Sequence, residues 1–197
     1  MTTTDAPAPE APQPGQMRAD ARRNRERLLV AARAAFAEQG ADAPLEDIAK
    51  RAGVGIGTLY RHFPTRPALQ EAVFREQVQA VCVGAAELRE SHEPGEALAL
   101  WLRSLTGYIA TKRGLSAALI KALGKDSELV SSCSAQMKVA GSGLLAEAQQ
   151  AGVVRKEVDI ADLLRLVHAV VLATEQAPAD DGQRDRLLSV VLDGLRA

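Results

Sequence analysis

Aromatic side chains are scarce in this chain of 197 residues: one Trp, two Tyr and three Phe make up 3% of it. No stretch alternates apolar and β-branched residues between turn signals, so no strand is expected. The two cysteines, Cys82 and Cys133, stand far apart and have no neighbour at CxxC or metal-ligand spacing, which excludes a metal site built from local thiolates. They are expected as buried thiols, with a redox switch as the alternative. The three histidines, His62, His92 and His168, have no sequence-local metal partners, and no HExxH, GxSxG, P-loop or glycine-rich dinucleotide turn occurs. An enzyme, a metal centre and a bound cofactor are therefore not expected. No apolar run approaches the roughly 20 residues that span a bilayer. The N-terminus lacks the basic start and apolar centre of a signal peptide, which points to the cytoplasm.

Ala, Leu, Arg and Glu are abundant instead, residues that lose little side-chain freedom in a helix. A hydrophobic content of 47% is ample for a buried core. The fold class is all-α. Residues 1–17, containing APAPEAPQPGQ, read as a disordered leader that cannot bury enough apolar surface to order itself. A first helix is expected from near Ala21 to Gln39, with Leu28, Leu29, Ala32, Ala35 and Phe36 on one face and Gly40 ending it. Pro44 suits the first position of a second helix, with Glu46 and Asp47 complementing its dipole. Thr65 suits the N-cap of a long helix reaching about Ser91, and His92-Glu93-Pro94-Gly95 is a break. Further helices are expected over 95–111, 115–123, 127–151, 160–176 and 182–196, the last two separated by the loop Ala177 to Asp181.

The segment LEDIAKRAGVGIGTLYRHFPTRPAL, Leu45 to Leu69, carries the core spacing of a helix-turn-helix. Ile48 and Ala49 occupy the inner face of its first helix. Gly53 supplies the left-handed residue of the tight turn, and Val54 and Leu59 pack the second helix back on the first. Phe63-Pro64 closes that second helix, since a residue before proline is pushed out of the α region. Gly55, Ile56, Gly57, Thr58, Tyr60, Arg61 and His62 are left outward, a face of few bulky carbons, several hydrogen-bonding groups and one fixed charge that suits a major groove.

Charge supports the same partner when counted by segment. Residues 18–76 hold 11 Lys or Arg against 8 Asp or Glu, a net +3, whereas each flank is −2. Arg18, Arg22, Arg23, Arg25 and Arg27 crowd the start of the first helix, where cations oppose the helix dipole and a phosphate backbone would offset them.

From roughly Arg22 to Val73 the chain resembles the DNA-binding signature of TetR-family transcriptional repressors, carried above all by GVGIGTLYRHFPTRPAL. The resemblance implies a three-helix DNA-binding domain over 18–65, joined by a long helix to a helical regulatory and dimerisation domain over 66–197. It implies phosphate contacts from Tyr60 and His62, and a backbone clamp from Arg66 at the start of the fourth helix. Where family members often carry a hydroxyl residue, this chain has Ala43-Pro44, which removes one phosphate contact.

By chemistry, Thr58 offers a hydroxyl and a methyl to base edges, Ile56 apolar contact only, and Gly55 and Gly57 close approach. Apolar stripes on the last two helices, Leu163, Leu164, Val167, Val170, Val171 and Leu187, Leu188, Val190, Val191, Leu195, would pair with a symmetry mate. Alternatively they close the core of one chain. A small-molecule effector would sit in the C-terminal domain near Trp101, Tyr108, Met137 and His168. Trp101, Met137 and His168 also suit a plain helical core. The function expected is a homodimeric, ligand-released repressor on a palindromic operator; a ligand-independent architectural DNA binder is the alternative.

Overall fold

A computed structural model describes residues 14–111, 115, 118, 119, 124, 127–175 and 182–197. Among them the chain forms α1 (Pro14–Gln39), α2 (Leu45–Arg51), α3 (Ile56–His62), α4 (Arg66–Ser91), α5 (Pro94–Thr111), α6 (Glu128–Gln150), α7 (Ile160–Glu175) and α8 (Gln183–Asp193). The only β pairing among the described residues is one antiparallel bridge between Val154 and Arg196.

The first three helices form a head. Leu28, Leu29, Ala32 and Phe36 of α1 close over Ile48 and Ala49 of α2, Leu59 of α3, and Phe63, all buried. Leu69 and Val73 of α4 complete this core, so the long helix belongs to the head at its beginning. Thr65 accepts a bond from the Ala68 amide and caps α4 as expected, an interaction that stabilises a helix by about 1 kcal/mol.

At 26 residues, α4 is a rod of about 39 Å, and its second half belongs to the body. There it packs on α5 and α6. Trp101 of α5, fully buried, donates its indole N–H to the Val81 carbonyl of α4 at 3.1 Å. Arg89, near the end of α4, pairs with Glu147, near the end of α6, with Nε to Oε1 at 2.9 Å. Toward the other end, Arg75 and Gln79 share a cleft with Cys133, so α4 and α6 run in the same direction. Leu98, Leu102, Leu105, Leu144, Leu163, Val167 and Leu188 fill the body core.

Three features differ from the expectations. Helix α1 begins at Pro14, not near Ala21, so residues 14–17 of the expected leader are helical; proline at a first helical position loses no hydrogen bond, because that amide is unpaired in any helix. Residues 1–13 lie outside the described residues. Pro44 precedes α2 as its extended N-cap, its carbonyl accepting from Ile48, one position earlier than expected. The last helix stops at Asp193 because the chain turns to bond with the loop after α6, where Arg155 donates to the Leu195 carbonyl at 3.0 Å. Of the short helix expected over 115–123, Leu115, Ala118 and Leu119 are described and helical; the loop 177–181 lies outside the described residues. No described helix is long and apolar enough to cross a membrane.

Candidate nucleic-acid interface

The turn between α2 and α3 is built by three successive bonds. The Ala52 amide donates to Ile48, Gly53 to Lys50 and Val54 to Ala49, at 2.9, 3.1 and 3.0 Å. Gly53 takes φ +66°, the left-handed conformation that the sequence demanded of it. Leu59, fully buried, is the anchor that fixes the rotation of α3 about its own axis.

That rotation decides what α3 shows to the outside. Ile56 is 37% and Tyr60 44% exposed, unusual for large side chains that could have packed. A Cβ at Gly55 or Gly57 would meet no atom within 4 Å. Packing within the chain therefore does not require these glycines, and they leave a smooth surface. Thr58 is half-buried, and Arg61 folds back along its helix, donating to the Thr58 hydroxyl and the Gly57 carbonyl, both at 3.3 Å. The first turn of α3 has no acid and its last turn carries Arg61 and His62.

His62 is half-buried beside Phe63, whose ring also receives the guanidinium of Arg25 at 5.6 Å. Such a cation over an aromatic face contributes about 0.5–1 kcal/mol at an exposed site, and it ties α1 to the end of α3. Arg22, one turn earlier on α1, is exposed and lies 3.8 Å from Glu26, a contact too long and too wet to hold it. The structure thus gathers Gly55, Ile56, Gly57, Thr58, Tyr60, Arg61 and His62 on one small head, with Arg22 at its margin.

Arg66 has a role within the chain that was not expected. Its guanidinium turns inward and donates to the carbonyls of Ala43 and Ala41 at 2.5 and 3.3 Å. Gln70, buried beside it, donates to the same Ala41 carbonyl at 2.9 Å. Together they fasten the beginning of α4 to the loop ahead of α2, and Arg66 does so through Nη1, with Nε and Nη2 left over for a further acceptor. Gln70 was not anticipated, although a polar residue between Leu69 and Val73 on an apolar face was a signal for a buried hydrogen bond.

Of the residues expected around an effector, Trp101, Tyr108 and Met137 lie on facing stretches of α5 and α6, and His168 lies apart from them. Trp101 is core, its ring against Gly141 and its N–H satisfied by Val81. Tyr108 is buried near Cys82 and Cys133, and burial first, then these thiols, push its hydroxyl above the usual phenol range. Met137 is half-buried against the core. His168, expected within apolar surroundings, is exposed on α7. Surface clefts on α1 and α2, between the head and α6, and between α5 and α8 are lined by none of the four. Both cysteines are free thiols, Cys133 buried and Cys82 half-buried, with the Cys82 thiol raised by burial and then by its neighbour Cys133.

A turn closed on Gly53, an outward helix stripped of bulk, and a separate helical body define a helix-turn-helix DNA-binding protein with a regulatory domain. Comparison with known proteins agrees. Residues 28–73 match the family described as bacterial regulatory proteins, tetR family, and residues 93–197 match the transcriptional regulator SbtR-like C-terminal domain. A TetR transcriptional regulator from Streptomyces coelicolor is 37% identical, the match covering 87% of this chain and 98% of that one with a TM-score of 0.77. A TetR regulatory protein from Mycobacterium vanbaalenii is 36% identical, covering 92% and 99%, with a TM-score of 0.70. An HTH-type transcriptional regulator of Staphylococcus aureus is 32% identical over 77 residues, 39% of this chain, and the match spans 42% of that curated relative's length. The chain belongs to the TetR family of transcriptional regulators, which are not enzymes.

Proposed function

We propose that the protein is a cytoplasmic repressor that binds a palindromic operator as a homodimer and is released by a small-molecule effector. The observation that carries the dimer is the outer face of α7 and α8. Leu166, Leu172, Leu187 and Val190 are 45%, 50%, 36% and 70% exposed, large apolar groups that a second copy would cover. Two heads related by that pairing read successive major grooves, roughly 34–36 Å apart. In this reading Gly55, Ile56, Gly57, Thr58 and Arg61 face the groove, Tyr60 and His62 meet phosphates of the site, and Arg22 meets those that flank it.

Release follows if the effector favours a dimer whose heads no longer match that spacing. A differential affinity of about 1–3 kcal/mol changes operator occupancy 5–150-fold. The burial of Trp101 and Tyr108 within the core, with His168 on the surface, favours a second reading, a ligand-independent architectural DNA binder.

Selection of bound duplexes from a random pool, followed by the mass of the complex, tests both. A palindromic site occupied by one or two dimers supports the regulator, and a small-molecule screen on that duplex then separates the two readings. A complex of one chain per site, or no enriched sequence at low salt, overturns the operator scheme.

A further inference from the structure

The early start of α1 leaves a stretch of helix that overhangs the head. At Leu29 the helix is buried in the head core, and one turn earlier Arg25 lies over the Phe63 ring at the end of α3. Continuing toward the N-terminus at helical spacing, the same face presents Arg22 and then Arg18, both exposed. The face therefore changes from apolar to cationic just where α1 passes the end of the recognition helix. Arg18 has no ion-pair partner among the described residues, and the Arg22 contact with Glu26 is long and exposed. Arg23 and Arg27, on another face, are engaged by Asp20 and Asn24 instead.

Nothing in the fold rewards this arrangement. Arg18 and Arg22 stand beyond the first turn of α1, where neither the helix dipole nor a neighbouring acid holds them. An anion beyond the end of α3 would give both a partner.

We infer that the α1 overhang is a second DNA-contacting element, on which Arg18 and Arg22 engage the phosphates of duplex flanking the site read by α3. The occupant is the same DNA, because the cationic stripe is continuous with the helix-turn-helix surface and is complementary in charge to a phosphate backbone. Arg18 stands seven residues beyond Arg25, about 10 Å of helix, which is roughly three base-pair steps at 3.4 Å each. The contact adds affinity and salt dependence and leaves sequence preference unchanged. It rests on the reading of α3 as the groove-binding helix.

The test uses full-length protein and the duplex recovered by selection, in a trimmed form and one extended by roughly six base pairs on each side. The probe is the slope of log affinity against log salt for the wild type and for the double variant Arg18→Gln, Arg22→Gln. On the extended duplex the variant slope should be shallower by about 0.9 per phosphate lost, so nearly 2 for each bound head. On the trimmed duplex the two proteins should behave alike, and both should select the same sequence. Equal slopes on the extended duplex, an equal deficit on both duplexes, or a changed sequence preference overturns the inference while leaving the operator reading intact. Failure of the wild type to select any site would sink the operator reading, and this inference with it.

Discussion

The indole of Trp101 lies directly against Gly141, close enough that a methyl group on Gly141 would sit 2.6 and 2.8 Å from its ring carbons and 2.6 Å from Ile160 Cδ1. The contact locks α5, α6 and α7 together at one point, and it exists only because residue 141 has no side chain. Gly141→Ala is expected to destabilise the protein by about 1–3 kcal/mol through overpacking, read as a fall in melting temperature of roughly 2–4 °C per kcal/mol. Trp101→Phe in the same chain should recover part of that loss, a coupling measurable by a double-mutant cycle. An additive pair would mean that the helices adjust without strain.

Gly57 presents the opposite case, since a side chain there meets nothing. Gly57→Ala should leave the fold as stable as before, or up to about 1 kcal/mol more so. Its affinity for the selected duplex should fall at least tenfold, about 1.4 kcal/mol. Unchanged binding would remove α3 from the groove.

Tyr60 and Thr58 should divide labour. Tyr60→Ala is expected to weaken binding to all sequences similarly, whereas Thr58→Val should shift preference among operators. The Arg61 bond to the Thr58 hydroxyl adds a condition: Arg61→Ala should reproduce part of the Thr58→Val shift. Uniform loss in all three variants across an operator library would abolish the distinction.

Val190→Glu, at the most exposed large apolar position of α8, is expected to convert a dimer to monomers in sedimentation or mass measurements while leaving helix content unchanged. A protein that stays dimeric would place the interface elsewhere.

The ionisation of Tyr108 gives an alkaline signature. Burial raises its pKa above the ordinary 10.0, so the folded state keeps a proton that the unfolded chain releases. Stability contributed by this group is complete below pH 10 and declines as pH rises beyond it. Tyr108→Phe should flatten the alkaline limb of a stability–pH curve, and an unchanged limb would assign that limb to other groups.

The head was legible in the sequence because each of its parts is local: Gly53, Leu59 and Thr65 act within a few residues of themselves. The start of α1 was not, since a leader rich in Ala, Pro and Thr has the composition of a disordered segment, while Pro14 happens to fit a first helical turn. The inward turn of Arg66 depends on carbonyls 23 and 25 residues away, which no local pattern encodes. The exposure of His168 escaped for a related reason. Helix α7 is apolar on more than one face, and pattern alone does not separate a face buried in one chain from the outer face that carries Leu166 and Leu172.

The length of α4 has a mechanical side. Val81, where Trp101 grips the helix, lies 15 residues from Arg66, an arm of about 22 Å. A tilt of only 5° about that grip displaces the far end by roughly 2 Å. Because Arg66 and Gln70 bolt that end to the loop ahead of α2, the head has no slack with which to absorb the swing. Under the proposed release, gearing of this kind would turn a rearrangement of side chains in the body into a misfit of half a base-pair step at the groove.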